Sequence, residues 1–349
     1  MAIGRRAAPL PFPFPPARGT LPLCAPRRHP RPAPNSGGFR LDIDALNADF
    51  GLPGTLRIAV GRGGLTMIEV YNGLANALIS THGGQVLSYC PAGAPDDLLF
   101  VSERAWFAPG KEIKGGVPIC WPWFGADPDT ADLDVPDRGI HGFARRLPWS
   151  ILATAALPSG ATRVTLGLAD DADTRVLWRH HFNLLVEITV GSTLTVELIT
   201  RNAGDRSFQI TQGLHSYFRV GDATQARVLG LAGCDYIDKA AGANDAILTQ
   251  DGPLRVAAEV NRIYESVPPV LTIEDPVLAR RIRISSRHSA TTVVWNPWVA
   301  TARAMADLDD GDYRIMLCVE TVNAASEVIG IPGGGEARLA AEYAIEPLE

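Results

Sequence analysis

The stretch 182-FNLLVEITV-190 decides the fold. Phe182, Leu184, Val186, Ile188 and Val190 alternate with Asn183, Leu185, Glu187 and Thr189. An extended chain turns successive side chains to opposite faces, so this period of two puts the aliphatic residues on one side of a strand. The pattern recurs outward from there. Leu194, Val196 and Leu198 alternate with Thr195 and Glu197; Ile282 and Ile284 with Arg281, Arg283 and Ser285; Ile315, Leu317 and Val319 with Met316, Cys318 and Glu320. Turn formers punctuate the runs at Asn72-Gly73, at 202–204 and at 333–336. Asp42 to Phe50 reads as one short helix capped by Asp42 or Asp44. Long helical periodicity is absent, so the expectation is an all-β protein of two packed antiparallel sheets.

Residues 1–38 differ from the rest of the chain, with ten prolines, arginines at 5, 6, 18, 27, 28 and 31, and no acidic residue. Proline cannot donate to a helix or a central strand, so this part reads as a disordered tail and 39–349 as one β-sandwich domain. No unbroken apolar core of a secretory signal follows the basic start, and no apolar run approaches the ~20 residues that span a bilayer. A formal charge of −6 argues against a general nucleic-acid binder. Cys24, Cys90, Cys120, Cys234 and Cys318 are odd in number, scattered and free of any Cys-x-x-Cys pair. They predict reduced thiols in a cytoplasmic protein.

Several familiar signatures fail. Gly110-Lys111 lacks the rest of a phosphate loop, and Gly61 to Gly64 does not complete a dinucleotide fingerprint. Asp127, Asp129, Asp132, Asp134 and Asp137 lack the glycine and terminal glutamate of a calcium loop and read as a solvated turn. His180 and His181, taken as strand residues, would point to opposite faces and could not share a metal. What is left holds neither an evident metal site nor an activated nucleophile, which suits chemistry by proton transfer alone.

Four segments place polar residues within aromatic or β-like runs: 114-KGGVPICWPWFG-125, 137-DRGIHGFAR-145, 212-QGLHSYF-218 and 294-VWNPW-298. A fifth is 316-MLCVETVN-323. In this order, over about 55–345, they resemble the glucose-6-phosphate 1-epimerase (hexose-6-phosphate mutarotase) family within the wider aldose 1-epimerase fold. The resemblance implies a galactose-mutarotase-like β-supersandwich with its site on the concave face of one sheet. It implies His215 as general acid and Glu320 as general base, with Lys114, His141, Arg145 and Asn261 binding substrate, and it implies no cofactor. The expected substrate is a hexose 6-phosphate, met by a monomer with no membrane or nucleic-acid partner.

Two positions depart from the family pattern. Lys114 stands where arginine is usual, keeping the charge but losing the bidentate fork. Asn261 stands where aspartate is frequent, keeping hydrogen-bonding capacity without charge. Three readings stay open at this point: a hexose-phosphate epimerase, an epimerase of unphosphorylated aldoses, and a sugar-phosphate-binding protein without turnover. Trp121, Trp123, Trp295 and Trp298 could be core or sugar platform.

Overall fold

Alternation is realised as three large antiparallel sheets. The computed structural model describes residues 42–128 and 138–348; the expected tail at 1–38 and the aspartates from 129 to 137 lie outside them. Nine strands form one sheet, with Phe182–Val190, Leu194–Asn202 and Glu336–Pro347 running side by side near its middle. Every odd-numbered position predicted to face outward on Phe182–Val190 is less buried than its even neighbours, which are sealed in the core. A second sheet of eight strands carries Val260–Tyr264, Thr291–Asn296, Met316–Asn323, Gln212–Leu214 and Ile119–Cys120 in that spatial order, and Tyr217–Arg219 also pairs with Met316–Asn323. Four strands from Leu56–Val60 to Gln85–Pro91 make a third. One continuous apolar cluster joins them, running from Ile68 and Ile79 through Val186 and Ile188 to Val294, Leu317 and Val319.

The short helix is present as Ile43–Phe50. Asp42 caps it, its carboxylate accepting from the amides of Asp44 and Ala45 at 3.1 Å. Three expectations need correction. Met316–Asn323 is buried at all eight positions rather than half-buried, because Leu317 and Val319 join the main core while Met316, Cys318 and Val322 pack into smaller clusters behind it. His180 and His181 precede a strand instead of lying in one; His180 packs on Trp178 and Phe208, and His181 Nδ1 lies 2.9 Å from the Asp170 carboxylate. Cys120, Cys234 and Cys318 are free, whereas Cys90 is disulfide-bonded, which linear spacing could not reveal because pairing depends on what the fold brings together.

A buried polar contact is among those that tie the eight- and nine-stranded sheets together behind the candidate site. Ser216 Oγ and Tyr343 Oη are 2.5 Å apart, both buried, and the serine also bonds the Leu214 carbonyl. With its own proton on that carbonyl, Ser216 accepts from Tyr343. Tyr343→Phe should therefore strand a buried acceptor and lower unfolding free energy by about 1–3 kcal/mol. Urea titration checks this, and an unchanged midpoint would show that the contact is energetically idle.

Candidate active site

Register brings the site together. Across the eight-stranded sheet Asn261 faces Trp295, Trp295 faces Cys318, and Cys318 faces Tyr217. Two residues along, Ile263 faces Val293 and Val293 faces Glu320. Because side chains alternate, both rows lie on the same face, away from Leu317 and Val319. His215 sits in the link between Gln212–Leu214 and Tyr217–Arg219. Its amide donates to Pro118 O at 3.0 Å, and that of Tyr217 to Gly116 O at 2.9 Å, so the 114–120 segment pins the histidine in place. Gly115 and Gly116 make this possible. Both have positive φ, and a Cβ on either would lie within 2.4 Å of the Phe100 or Val86 carbonyl oxygen.

The two central groups meet. His215 Nδ1 is 3.4 Å from Glu320 Oε1, within ion-pair reach yet without hydrogen-bond alignment. Both Glu320 oxygens are buried and unpartnered, and the residue is only 1% exposed. Burial drives the Glu320 carboxyl well above the usual carboxylate range, opposed by the charge of Arg145. Burial also drives His215 well below 6.5, helped by its neighbours His141, Arg145 and Lys114. The Tyr217 ring stacks on the imidazole at 4.7 Å, and Trp295 stands edge-on at 6.1 Å.

Ahead of this pair lies a cavity of about 620 Å³, whose walls include Lys114, His141, Arg145, Lys239, Glu259 and Asn261. His141 accepts from the Gly125 amide on Nδ1 at 3.1 Å, which leaves Nε2 as the proton-bearing nitrogen. Burial, then the charges of Arg145 and Lys114, lower its pKa to about 3, so the ring is a neutral donor. Asn261 is half-buried in the wall, its amide 3.4 Å from the Lys239 carbonyl.

Lys114 and Arg145 are buried, at 8% and 5% exposed, and are engaged already. Arg145 pairs with Glu112 at 2.5 Å; Lys114 lies 3.4 Å from Glu112 and 3.5 Å from Asp307. Burial works against ionisation of Glu112, but Arg145 and Lys114 outweigh it and hold the carboxyl below its ordinary range. Sequence reasoning missed Glu112, Asp307 and Lys239. Glu112 had a signal, since it stands two residues before Lys114, a spacing that suits a shared face in extended chain. Asp307 had none. Of the tryptophans, Trp121 and Trp123 are core, Trp298 packs on Tyr313, and only Trp295 lines the cavity. Asn296 shapes the turn before Pro297, bonding the Tyr313 and Met316 carbonyls and accepting from the Trp298 amide.

Comparison with known proteins bears on the family and the fold. The sequence model of the aldose 1-epimerase family matches residues 66–334. A Salmonella typhimurium protein named "Putative glucose-6-phosphate 1-epimerase" is 36% identical over 262 residues, covering 75% of this chain and 84% of that one. A protein of the same name from Escherichia coli is 35% identical over 261 residues, with the same coverage. The crystal structure titled a "putative mutarotase" from Salmonella typhimurium superposes with a TM-score of 0.76 at 32% identity, covering 87% of this chain and 99% of that one.

Proposed function

The chain belongs to the aldose 1-epimerase family and is a sugar epimerase, and from that premise we propose that it interconverts the α and β anomers of a hexose 6-phosphate. The observation that carries the reading is the meeting of His215 and Glu320, 3.4 Å apart, at the end of a sugar-sized cavity walled by cations. The hemiacetal oxygens O1 and O5 share one carbon, so an acid and a base side by side can serve both. Glu320 takes the proton of O1–H as the C1–O5 bond breaks, C1=O1 forms, and O5 takes a proton from the His215 nitrogen turned away from Glu320. Rotation about C1–C2 and reversal of these transfers gives the other anomer.

Burial has a use in this scheme. Ring opening converts an imidazolium–carboxylate pair into a neutral imidazole and a neutral acid. The dry surroundings that raise Glu320 and lower His215 favour that neutral pair, and so favour the open-chain intermediate. A phosphate dianion near Lys114 and Arg145 would offset two of the charges that, after burial, depress His215, moving it toward its acid form, and would also weaken the Arg145 charge that opposes the rise of Glu320.

A second reading has its own support. Because Glu112 and Asp307 already engage both cations, the cavity also suits an unphosphorylated aldose. Exchange spectroscopy by NMR on glucose 6-phosphate and on glucose separates them. For a phosphate enzyme, Lys114→Ala should raise KM for the phosphorylated sugar by about tenfold or more and leave free glucose nearly untouched, as loss of a charged hydrogen bond of about 1.5–3 kcal/mol requires. Glu112→Gln should lower that KM by removing the ion-pair partner of Arg145 and leaving Lys114 with Asp307 alone. Equal responses to the two sugars would favour the unphosphorylated substrate, and exchange at the buffer rate for both would dismiss the hexose proposal.

A further inference from the structure

Cys318 takes no part in the proton transfers and is absent from the cavity wall, yet it is a free, buried thiol on the same strand face as Glu320, two residues away. One ring nitrogen of His215, the Cys318 sulfur and a Glu320 oxygen all lie within 4.8 Å of one another. Nδ1 of the histidine and both oxygens of the glutamate are buried without a hydrogen-bond partner. We propose that these three side chains form a site for a thiophilic divalent cation, with Zn²⁺ the best match, and that its binding switches the enzyme off.

The donors fit that ion. Imidazole nitrogen, thiolate and carboxylate are all zinc ligands. Two ligand atoms at tetrahedral angles on bonds of about 2.0–2.2 Å stand about 3.4 Å apart, and the His215 Nδ1 to Glu320 Oε1 separation is 3.4 Å. The charges fit as well. A neutral imidazole, one thiolate and one carboxylate cancel a 2+ ion, leaving a neutral assembly in a buried place where a net charge is costly. Binding displaces the thiol proton, and the carboxyl proton where present, to solvent. Mg²⁺ does not suit the set, because it demands oxygen ligands in an octahedron. A fourth coordination position would remain toward the cavity. With the metal in place Glu320 can no longer accept a proton from O1–H, and His215 is held by Nδ1.

Cobalt is the probe. Added to the full-length protein without sugar, Co²⁺ should produce tetrahedral visible bands and a near-ultraviolet thiolate-to-cobalt band, both abolished by excess ZnCl₂. Cys318→Ala should lose the thiolate band, and Cys318→Ser serves if the alanine variant fails to fold. In the exchange assay ZnCl₂ should abolish turnover, a chelator should restore it, and MgCl₂ should have no effect. Cys318→Ala should keep its turnover and need at least about 100-fold more zinc for half-inhibition, since even indirect partners of a metal site are commonly worth 10–100-fold. Superimposable cobalt spectra for wild type and both variants, or no thiolate band at saturating cobalt, would overturn the site. The inhibitory part rests on the proton transfers proposed for His215 and Glu320. A clear thiolate band with undiminished exchange would leave the metal site standing and remove the roles given to those two residues.

Discussion

Glu320→Gln should slow anomer exchange by about 10²–10⁴-fold, the worth of one positioned acid–base group, without weakening the fold. The amide keeps the size of the side chain but cannot take the proton of O1–H. Stability should respond in the opposite sense to activity. The folded carboxyl titrates above its unfolded value because it is buried, so the stability it contributes is full below the ordinary carboxylate range. That contribution is lost as pH rises through the folded pKa. Glutamine has no such loss. Thermal melts taken from acid to alkaline pH should therefore show the variant gaining on wild type as pH rises. Wild-type exchange rates in the variant, or a melting difference independent of pH, would contradict the assignment.

His215→Asn should produce a loss of the same order, again about 10²–10⁴-fold. Combined with Glu320→Gln it should be far less damaging than the product of the two, because a proton pair works as a unit. Here the pH signs reverse. Burial, with His141, Arg145 and Lys114 nearby, depresses the folded pKa of His215. Its contribution to stability is present above about 6.5, the ordinary histidine value, and is lost as pH falls through the folded pKa. The asparagine variant should lose less stability than wild type on acidification, although His141, lowered to about 3, keeps part of that dependence in both proteins. Multiplicative effects in the double variant would mean that the two residues act independently.

The sheets were legible because a half-buried strand writes its orientation into alternate residues, as Phe182 to Val190 does. That signal fails where both faces are covered. Met316–Asn323 reads as alternating yet has no exposed side, since its second face meets other side chains instead of water. His215, Glu320, His141 and Arg145 were singled out by the segments around them rather than by any local periodicity, and the structure has all four lining one cavity. The carboxylates that neutralise its cations were harder to see. Asp307 lies far along the chain from Lys114, and an ion pair between distant residues leaves no local trace. The state of those cations, paired and buried, could be learned only from three dimensions.

The strand bearing Glu320 has a mechanical consequence. Leu317 and Val319 lie in the principal core, while Glu320 on the reverse face lines the cavity. Such a strand has no hinge to relax separately from the rest of the molecule. Its amides should exchange with deuterium only through the whole-molecule opening, in contrast with catalytic groups carried on loops. Activity in rising denaturant should accordingly fade in step with the folded fraction, leaving no stage at which the enzyme is intact but idle.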